Sequence, residues 1–309
     1  MDVAKEWEIL PEDKVEEVVC RERKGPGLRL LIVQPSGEAI LRPCIVFIHG
    51  GGFAGGSPEM LLPQCRYFAR LGYVCASVDY RRMMLDGETP VADSPMLGDQ
   101  LEDCREAVRY MRGQARRWRI DPSKIALVGE SAGGYLACGV AAGVGERRAG
   151  EDRLVSSVPD ALIAYNPIVH LLGSWKSRIP QTVAPDAGRQ DTAPSDASAD
   201  NEVERWRRRH EEARLLSPLL RLTGEHPPAL LMHGLMDTVV PPEHSAEYAE
   251  RLRELGVRAE LALLPASTHA FALFNYSASD EELRFALDTT VRFLNAVGIR
   301  PPAEASDRD

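Results

Sequence analysis

Ser131 lies at the centre of a five-residue pattern that suits a nucleophile. The pattern reads Gly129-Glu130-Ser131-Ala132-Gly133. The apolar run at residues 125–128 predicts a strand before it, and the small residues that continue to position 144 predict a buried helix after it. A tight strand-to-helix turn strains the backbone of the serine and lifts its hydroxyl clear of the sheet, and the flanking glycines leave room for that turn. The bare pattern also arises by chance in turns, so the context is what singles out Ser131.

A glycine run supplies a second chemical feature. His49-Gly50-Gly51-Gly52-Phe53 directly follows the apolar run at residues 44–48. Successive glycines let backbone N–H groups point into a pocket, where they can stabilise the negative charge of a tetrahedral acyl-transfer intermediate. We therefore predict an oxyanion hole formed by Gly51, Gly52 and Ala132, in which each donor contributes about 3 kcal/mol to the transition state. The alternative, a phosphate-binding loop, is disfavoured because no G-K-[ST] sequence follows.

Acyl transfer also needs a base and an acid that orients the base, and the chain offers both downstream of the serine. His269 follows the apolar run at residues 261–264, and Asp237 follows the run at 229–232. Strand ends at one edge of an open α/β sheet are where catalytic groups collect. The order serine, acid, histidine is the order that a nucleophile elbow requires. Ser131 would attack, His269 would take its proton and later protonate the leaving group, and Asp237 would fix the imidazole tautomer.

The other six of the seven histidines are less suitable as the base. His49 precedes the serine and is expected to brace the glycine loop. His233 lies at a strand end and His244 at a helix start, and structural roles are expected for both. The remaining three precede the acid or lie in a polar insertion: His170, His210 and His226.

Strand and helix patterns alternate along the chain. The predicted strands cover residues 15–20, 28–33, 44–48, 73–78, 125–128, 161–165, 229–232 and 261–264. The predicted helices cover residues 63–71, 99–112, 131–144 and 281–296. The first two strands suggest an N-terminal antiparallel pair. The remainder suggests βαβ units and an α/β fold with a mostly parallel central sheet flanked by helices.

The pattern predicts a single domain over residues 1–300. One stretch, residues 171–216, interrupts the alternation, since it is rich in Pro, Ser, Ala, Asp and Arg and only its second part has a helical pattern. An insertion of this size within a compact domain is typical of a lid, a binding loop or a mobile segment, so it is the lid candidate. Residues 301–309 are expected to form a disordered tail.

The charge and composition of the chain argue against several classes of binding partner. The 309 residues carry a net charge of −9, which argues against nucleic-acid binding and against an electrostatic anchor on an anionic membrane. The basic run at residues 205–209 contains Trp206 and is flanked by glutamates, so we interpret it as a solvated helix face. No apolar run reaches the roughly 18 residues that a membrane span needs. A homo-oligomer is left open.

The cysteines and the N-terminus bear on the cellular compartment that is expected for the chain. The six cysteines are widely spaced, mostly inside apolar runs, and contain no C-x-x-C pair, so buried free thiols are expected rather than disulfides or a zinc site. The acidic N-terminus lacks the apolar segment of a secretory signal. A cytoplasmic location is therefore expected for the chain as given, and a secreted or periplasmic one if a signal has been removed.

Four segments together resemble a known family. The glycine run at 49–53, Gly129-Glu130-Ser131-Ala132-Gly133-Gly134, Asp237-Thr238-Val239-Val240-Pro241 and His269-Ala270-Phe271 are similar to those of α/β-hydrolase esterases with an H-G-G-G oxyanion loop. These include the hormone-sensitive-lipase-like carboxylesterases and the acetyl-xylan and feruloyl esterase group. The resemblance covers roughly residues 25–297. It implies the α/β-hydrolase fold, a serine esterase (carboxylesterase or acetylesterase type), and neither cofactor nor metal.

Substrate expectations follow from the same residues. Aromatic side chains are expected to wall the substrate pocket: Phe53, Tyr80, Trp175 and Phe271. A short, polar lid favours a small-molecule or saccharide ester with a short acyl group, acetyl or feruloyl among them, over triglyceride. Two alternatives stay open. One is an amidase, formamidase or peptidase on the same fold, and the other is a non-catalytic ligand-binding protein that keeps the fold.

Overall fold

The structure is a computed structural model of the chain, and it describes residues 14–22, 26–37, 41–87, 89–91, 93–145, 154–171, 211, 213–274 and 276–302. Most of the predicted insertion at 171–216 and most of the predicted tail at 301–309 lie outside these ranges. Trp175 and His210 lie outside them as well. The lid, the tail and the single-domain boundaries therefore stay predictions.

Ten strands are described. They are β1 (Val15–Arg21), β2 (Leu28–Val33), β3 (Arg42–Ile48), β4 (Val74–Asp79), β5 (Leu85–Asp86), β6 (Thr89–Pro90), β7 (Ile120–Glu130), β8 (Ala161–Tyr165), β9 (Ala229–Gly234) and β10 (Ala259–Leu264). Eight of them form one sheet in the order β1-β2-β4-β3-β7-β8-β9-β10, and β5 and β6 form a small hairpin. β2 is antiparallel to both neighbours, and all later pairs are parallel. The α/β-hydrolase fold predicted from the resemblance is confirmed.

Six α-helices lie wholly within the described residues, between and after these strands. They are α1 (Leu62–Arg70), α2 (Leu97–Gly113), α3 (Ala115–Trp118), α4 (Ala132–Ala141), α5 (Glu243–Glu254) and α6 (Asp280–Ala296). Short 3-10 turns cover Pro58–Leu61 and Pro218–Arg221. α6 begins with a capping box, in which the Ser279 hydroxyl accepts from the Glu282 N–H and the Glu282 carboxylate accepts from the Ser279 N–H. Within the described residues, no helix has the length and apolar character to cross a bilayer.

Helices cover both faces of the sheet, which explains why the central strands are almost uniformly apolar. On one face α2, α4 and α5 pack through residues such as Leu101, Leu136 and Leu252. On the other face α1 and α6 pack through residues such as Phe68 and Phe293. The six cysteines are free thiols, as expected, and five of them are buried in these layers.

The parallel strands bring four loops to one edge of the sheet. β3 ends at Ile48, before the glycine run, and the adjacent β7 ends at Glu130, before the serine. β9 and β10 are also adjacent, and they end at Gly234 and Leu264, before the acid and the histidine. β8 lies between the two pairs. We call this edge the carboxyl edge.

Some elements differ from their predicted bounds. β7 begins at Ile120 rather than 125, because its first residue pairs with Arg42 before a shift in register. α4 ends at Ala141, and Gly143 and Gly145 follow with positive φ angles. The hairpin of β5 and β6 and the helices α3 and α5 were not predicted, apart from a helix start near His244. The α5 sequence is polar and charged on most faces, and only its buried stripe marks it as part of the core.

Candidate active site

The backbone at Ser131 has the geometry of a tight strand-to-helix turn. Ser131 has φ 55° and ψ −118°, lies directly after β7 and precedes the first residue of α4. A non-glycine residue with this positive φ is strained by about 1–3 kcal/mol, and surrounding contacts must hold it there. The Ser131 N–H donates to Tyr165 O on β8 at 3.0 Å, and Ser131 O accepts from Tyr135 N at 3.0 Å. The strained turn is therefore anchored to both the sheet and the helix.

The two glycines of the pattern are required by close backbone contacts. A Cβ on Gly129 would lie 2.1 Å from Gly133 O. A Cβ on Gly133 would lie 2.1 Å from Ile48 O, at the end of β3. Real Cβ atoms do not approach so closely, so a side chain at Gly129 would push against the start of α4, and one at Gly133 would push the turn away from β3. The spacing of the pattern is thus a packing requirement of this turn.

Ser131, His269 and Asp237 form a continuous chain of hydrogen bonds. The Ser131 Oγ lies 2.9 Å from His269 Nε2. On the other side of the ring, His269 Nδ1 lies 2.7 Å from Asp237 Oδ2. A carboxylate oxygen can only accept, so Nδ1 carries a hydrogen and the neutral ring presents a lone pair on Nε2 to the serine hydroxyl. This tautomer is the one that can remove the proton of Ser131.

The Asp237 carboxylate is buried and fully engaged. Its Oδ1 accepts from Val239 N at 2.8 Å and Val240 N at 2.9 Å. Its Oδ2 accepts from His269 and lies 3.2 Å from His233 Nε2. Burial acts to raise the pKa of Asp237, but the hydrogen bonds from His233, His269 and Val240 outweigh it and hold that pKa well below its ordinary value. Asp237 is therefore an anion throughout the neutral range.

The loops that carry the acid and the base are tied to each other. Met236 N donates to Ser267 O at 3.0 Å, and Leu235 N donates to Leu264 O at 2.9 Å. A Cβ on Gly234 would lie 2.2 Å from Ser267 O, so only glycine permits this approach. The relative position of Asp237 and His269 is fixed by backbone contacts as well as by their own hydrogen bond.

The glycine run turns next to the serine. A Cβ on Gly50 would lie 3.1 Å from the Ser131 Cβ. Gly51 and Gly52 follow with φ angles of +118° and +59°, both are exposed, and Gly51 O accepts from Gly55 N at 2.7 Å. Gly50, Gly52 and Gly55 also have the spacing of a dinucleotide-binding loop, but no α-helix opens directly after them. Ala132 begins α4, and the first N–H groups of a helix have no acceptor within it.

Buried side chains brace this loop from behind. The His49 ring stacks on Tyr80 with centroids 4.3 Å apart, and Tyr80 Oη donates to His49 O at 3.0 Å. Burial lowers the pKa of His49 to about 4, so its ring is neutral at pH 7. Phe53 has a positive φ, and its carbonyl accepts from Gln100 Nε2 at 2.8 Å. The predicted bracing position of His49 is consistent with these contacts.

The aromatic residues that were expected to wall the pocket lie in the core instead. Phe53, Tyr80 and Phe271 are each 1% exposed. Phe53 packs edge-on against Tyr135, and Phe271 packs edge-on against Tyr165. Residues packed this closely support the site from beneath and present almost no surface to a ligand, so the pocket-wall prediction is wrong for these three.

A second buried carboxylate, Glu130, was not singled out from the sequence. Its Oε1 accepts from Asn166 Nδ2 at 3.0 Å and lies 4.0 Å from His269 Nε2. Burial raises the pKa of Glu130, although His269, the Asn166 amide and the Gly50 N–H act against that rise. The available signal was a charged residue inside an otherwise apolar strand end, which is costly unless the charge has partners.

His233 is the other residue whose place differs from expectation. It was expected to be structural, and its ring does connect β9 to α5, but it also contacts the Asp237 carboxylate. His244 accepts from Val169 N at 3.0 Å. Among the described residues, no group of three His, Cys, Asp or Glu side chains is arranged to hold a metal ion.

The fold is that of an α/β-hydrolase, and Ser131, His269 and Asp237 are arranged like the triad of a serine hydrolase. A family model named BD-FAE matches residues 30–252, which is more than half of the sequence. The chain belongs to the BD-FAE family.

Curated relatives are similar over much of this chain. Esterase LipC of Mycobacterium tuberculosis is 29% identical over 240 residues, which cover 75% of this chain and 54% of LipC. The acylamino-acid-releasing enzyme of Rattus norvegicus is 27% identical over 251 residues, covering 78% of this chain and 31% of that enzyme. The chain thus spans about half the length of the first of these relatives and less of the second.

Two solved structures with the same architecture are of one esterase, Est2 from Thermogutta terrifontis. Est2 from Thermogutta terrifontis with propionate bound has a TM-score of 0.74 and 29% sequence identity, covering 94% of this chain and 97% of Est2. Est2 phosphorylated by paraoxon has a TM-score of 0.74 and 27% identity, covering 94% and 96% of the two chains.

Proposed function

We propose that the protein hydrolyses carboxylic esters with short acyl groups through Ser131, His269 and Asp237. One observation carries the proposal. Ser131 Oγ, the His269 ring and Asp237 Oδ2 form one hydrogen-bonded chain, with distances of 2.9 and 2.7 Å, at the carboxyl edge of the sheet. The esterase relatives and the esterase structural neighbours support the same reaction class.

The first half of the reaction acylates the serine. Ser131 Oγ attacks the ester carbonyl carbon while its proton passes to His269 Nε2. The resulting imidazolium is stabilised by Asp237. The tetrahedral intermediate then collapses, the bond to the alcohol oxygen breaks, and His269 gives its proton to that oxygen. The products of this half are a free alcohol and an ester between Ser131 and the acyl group.

The second half releases the acid. Water attacks the acyl carbon and transfers its proton to His269 Nε2, and the second tetrahedral intermediate expels Ser131, which recovers that proton. In both halves the negative charge falls on the former carbonyl oxygen. We propose that this oxygen lies near the N–H groups of Gly51, Gly52 and Ala132. The adjacent Gly50, where a Cβ would lie 3.1 Å from the Ser131 Cβ, and the place of Ala132 at the start of α4 support that assignment.

For the substrate we propose an acetyl ester or another short ester, including esters linked to sugars and feruloyl esters. The structural neighbour Est2 has propionate bound, which is a short carboxylate. The polar composition of residues 171–216 offers little apolar surface for a long acyl chain. The partner is therefore a small-molecule or saccharide ester.

A comparison of p-nitrophenyl acetate, butyrate, decanoate and palmitate tests the acyl length. We expect the highest kcat/KM with acetate or butyrate, and a maximum with palmitate would contradict the proposal. Acetylated xylan and methyl ferulate, assayed in parallel, distinguish sugar-linked and aromatic esters from simple ones. Ser131→Ala should fold and reduce hydrolysis to background, whereas substantial residual hydrolysis would refute the nucleophile.

Amide hydrolysis is the second candidate, because an acylamino-acid-releasing enzyme is among the relatives. The same triad could cleave an amide, but the leaving amine is harder to expel than an alcohol. An acetyl-alanine anilide beside p-nitrophenyl acetate separates the two. We expect kcat/KM for the ester to exceed that for the anilide, and the reverse order would favour the peptidase.

A further inference from the structure

A buried histidine stands behind the acid, on the side away from the base. His233 belongs to β9, and its side chain is completely buried. Its Nδ1 lies 2.7 Å from the Ser245 Oγ on α5. Its Nε2 lies 3.0 Å from Val240 O and 3.2 Å from Asp237 Oδ2. The ring therefore bridges a helix and the carboxylate that orients the base.

The partners of His233 assign its hydrogens. Val240 O and Asp237 Oδ2 can only accept, so Nε2 carries a hydrogen and donates towards both. In the neutral ring, Nδ1 then has a lone pair and accepts from the Ser245 hydroxyl. Ser245 is itself completely buried, so this hydroxyl has no competing contact with bulk solvent. The Nε2–H tautomer is thus held from both ends of the ring.

As a result, Asp237 Oδ2 accepts hydrogen bonds from two ring N–H groups. His269 Nδ1 donates from one side and His233 Nε2 donates from the other. The second donor restricts rotation of the carboxylate. It also spreads the negative charge, so the hold of Asp237 on a protonated His269 is weaker than that of a carboxylate with a single ring donor. The other ionisable groups facing this cluster are Glu130, 4.0 Å from His269 Nε2, and His244, on α5 with Ser245.

We propose that His233 is a positioning residue for the catalytic base, acting through Asp237 and held in its donating tautomer by Ser245. The inference rests on the proposed function, since it assigns His233 a part in orienting the proposed triad. It predicts that His233 sets both the rate of proton removal from Ser131 and the pH at which that rate falls.

Two substitutions at His233 distinguish the loss of its hydrogen bond to Asp237 from a change in packing. In His233→Gln the Nε2 amide group lies at the same distance along the side chain as the imidazole Nε2, so it can still donate to Asp237. In His233→Asn the amide is shorter and corresponds to Nδ1, so the donation to Asp237 is lost while a polar side chain remains. Ser245→Ala leaves the histidine in place and removes only the hydroxyl.

Phosphorylation of Ser131 by paraoxon, followed as a single burst of p-nitrophenol, measures the reactivity of the serine without any choice of ester. We expect His233→Asn to slow this step by about 10–100-fold, the range seen when groups that support metal ligands from behind are removed. His233→Gln should recover most of the loss, and Ser245→Ala should slow the step several-fold. In ester hydrolysis, kcat should fall while KM stays nearly unchanged.

The pH profile supplies a readout that a packing role would not move. Without the second donor, Oδ2 stabilises the protonated base more strongly, so the acid limb of the rate should shift to higher pH in His233→Asn and stay in place in His233→Gln.

The proposal is overturned if His233→Gln and His233→Asn slow the reaction equally and the acid limb of the pH profile does not move. It is also overturned if both variants react at the rate of the unaltered protein. If His233→Asn does not fold, an unchanged rate in Ser245→Ala overturns it. Failure of paraoxon to modify Ser131 in the unaltered protein would instead refute the proposed function.

Discussion

Two buried carboxylates flank His269, and they differ in how fully they are hydrogen-bonded. The Asp237 side chain is wholly buried, and its oxygens receive two backbone N–H groups and two imidazole rings. Glu130 receives the Asn166 amide and the Gly50 N–H. The pKa of Asp237 is held far below its ordinary value, because its hydrogen bonds outweigh its burial. The pKa of Glu130 is raised, because burial outweighs its partners.

The comparison teaches that burial alone does not decide the charge of a carboxylate. Hydrogen-bond donors and neighbouring charges act as well, since each hydrogen bond to the anion offsets part of the lost hydration. Asp237 is thereby held in the anionic form, which the proposed orienting acid requires. The pKa of Glu130 is raised instead, and its carboxyl group lies on the side of the ring that faces the nucleophile. The same ring is thus flanked by two carboxyl groups whose pKa values are shifted in opposite directions.

Asp237→Asn should produce the largest change of activity. The amide has the shape of the carboxylate, but it cannot stabilise the imidazolium, and it can hold the ring in the wrong tautomer. We expect kcat to fall by about 10⁴-fold, the loss typical for this change in a serine triad. Steady-state kinetics on p-nitrophenyl acetate measure it. A loss no greater than that of Glu130→Gln would show that Asp237 is not the orienting acid.

Gly50→Ala should give the next largest effect, because it disturbs the Glu130 side through packing. The added Cβ would lie 2.1 Å from Glu130 Oε2 and 3.0 Å from Glu130 O, so the glycine run must move. Displaced oxyanion donors typically cost 10²–10³-fold in kcat, and we expect a loss of about that size. Gly113→Ala is the matched control, since nothing lies within 4 Å of a Cβ there. Its kcat should equal that of the unaltered protein.

Glu130→Gln should have a smaller effect on kcat, about 10-fold or less, because an amide can keep the contact with Asn166. It removes the negative charge that lies 4.0 Å from His269 Nε2. The protonated base is then less stabilised, and the acid limb of kcat/KM should move to lower pH. An unmoved limb would show that Glu130 is already neutral across that range.

The smallest predicted effect on activity at pH 7 comes from the buried histidines. Burial lowers the pKa of a histidine, whereas it raises the pKa of a carboxyl group such as Glu130. Burial lowers the pKa of His49, His226 and His244 to about 4. The unfolded chain then binds protons first, so their contribution to stability is complete above about pH 6.5 and is lost as the pH falls towards 4. Each histidine can account for up to about 3 kcal/mol. Glu130 acts the other way, because its raised pKa lets the folded state bind a proton first.

Urea unfolding at pH 7, 6 and 5 measures this dependence. We expect the free energy of unfolding to decline steadily across the series. In His226→Gln, whose amide can keep the contact with Tyr248 Oη, the decline should be shallower. A free energy that is constant from pH 7 to 5 would contradict the prediction.

The sequence predicted the sheet and the triad because both leave local patterns. Apolar runs mark β3, β7, β9 and β10, and each of the four motifs stands at the end of one of them. Helix α5 was missed beyond its start because its surface is mostly charged. The contacts that Glu130 and His233 make with the site could not be predicted, since their partners, Asn166 and Ser245, are distant in sequence or on another element.

Pocket walls were the least predictable part of the site. An aromatic residue next to a motif packs beneath the site as often as it lines the pocket. Phe53, Tyr80 and Phe271 all pack beneath the site. Motif spacing reports where backbone must turn. It carries no information on which side of the turn a neighbouring ring will pack.

The position of β10 has a consequence for how the protein fails on heating. Within the described sheet, β10 is the terminal strand and pairs with β9 alone. Its loop delivers His269, so the proposed base depends on a strand with a single neighbour. Terminal elements open locally at a lower free energy than the core. On heating, activity should therefore be lost reversibly below the temperature of the global melting transition. That loss would report local opening of the sheet at this edge.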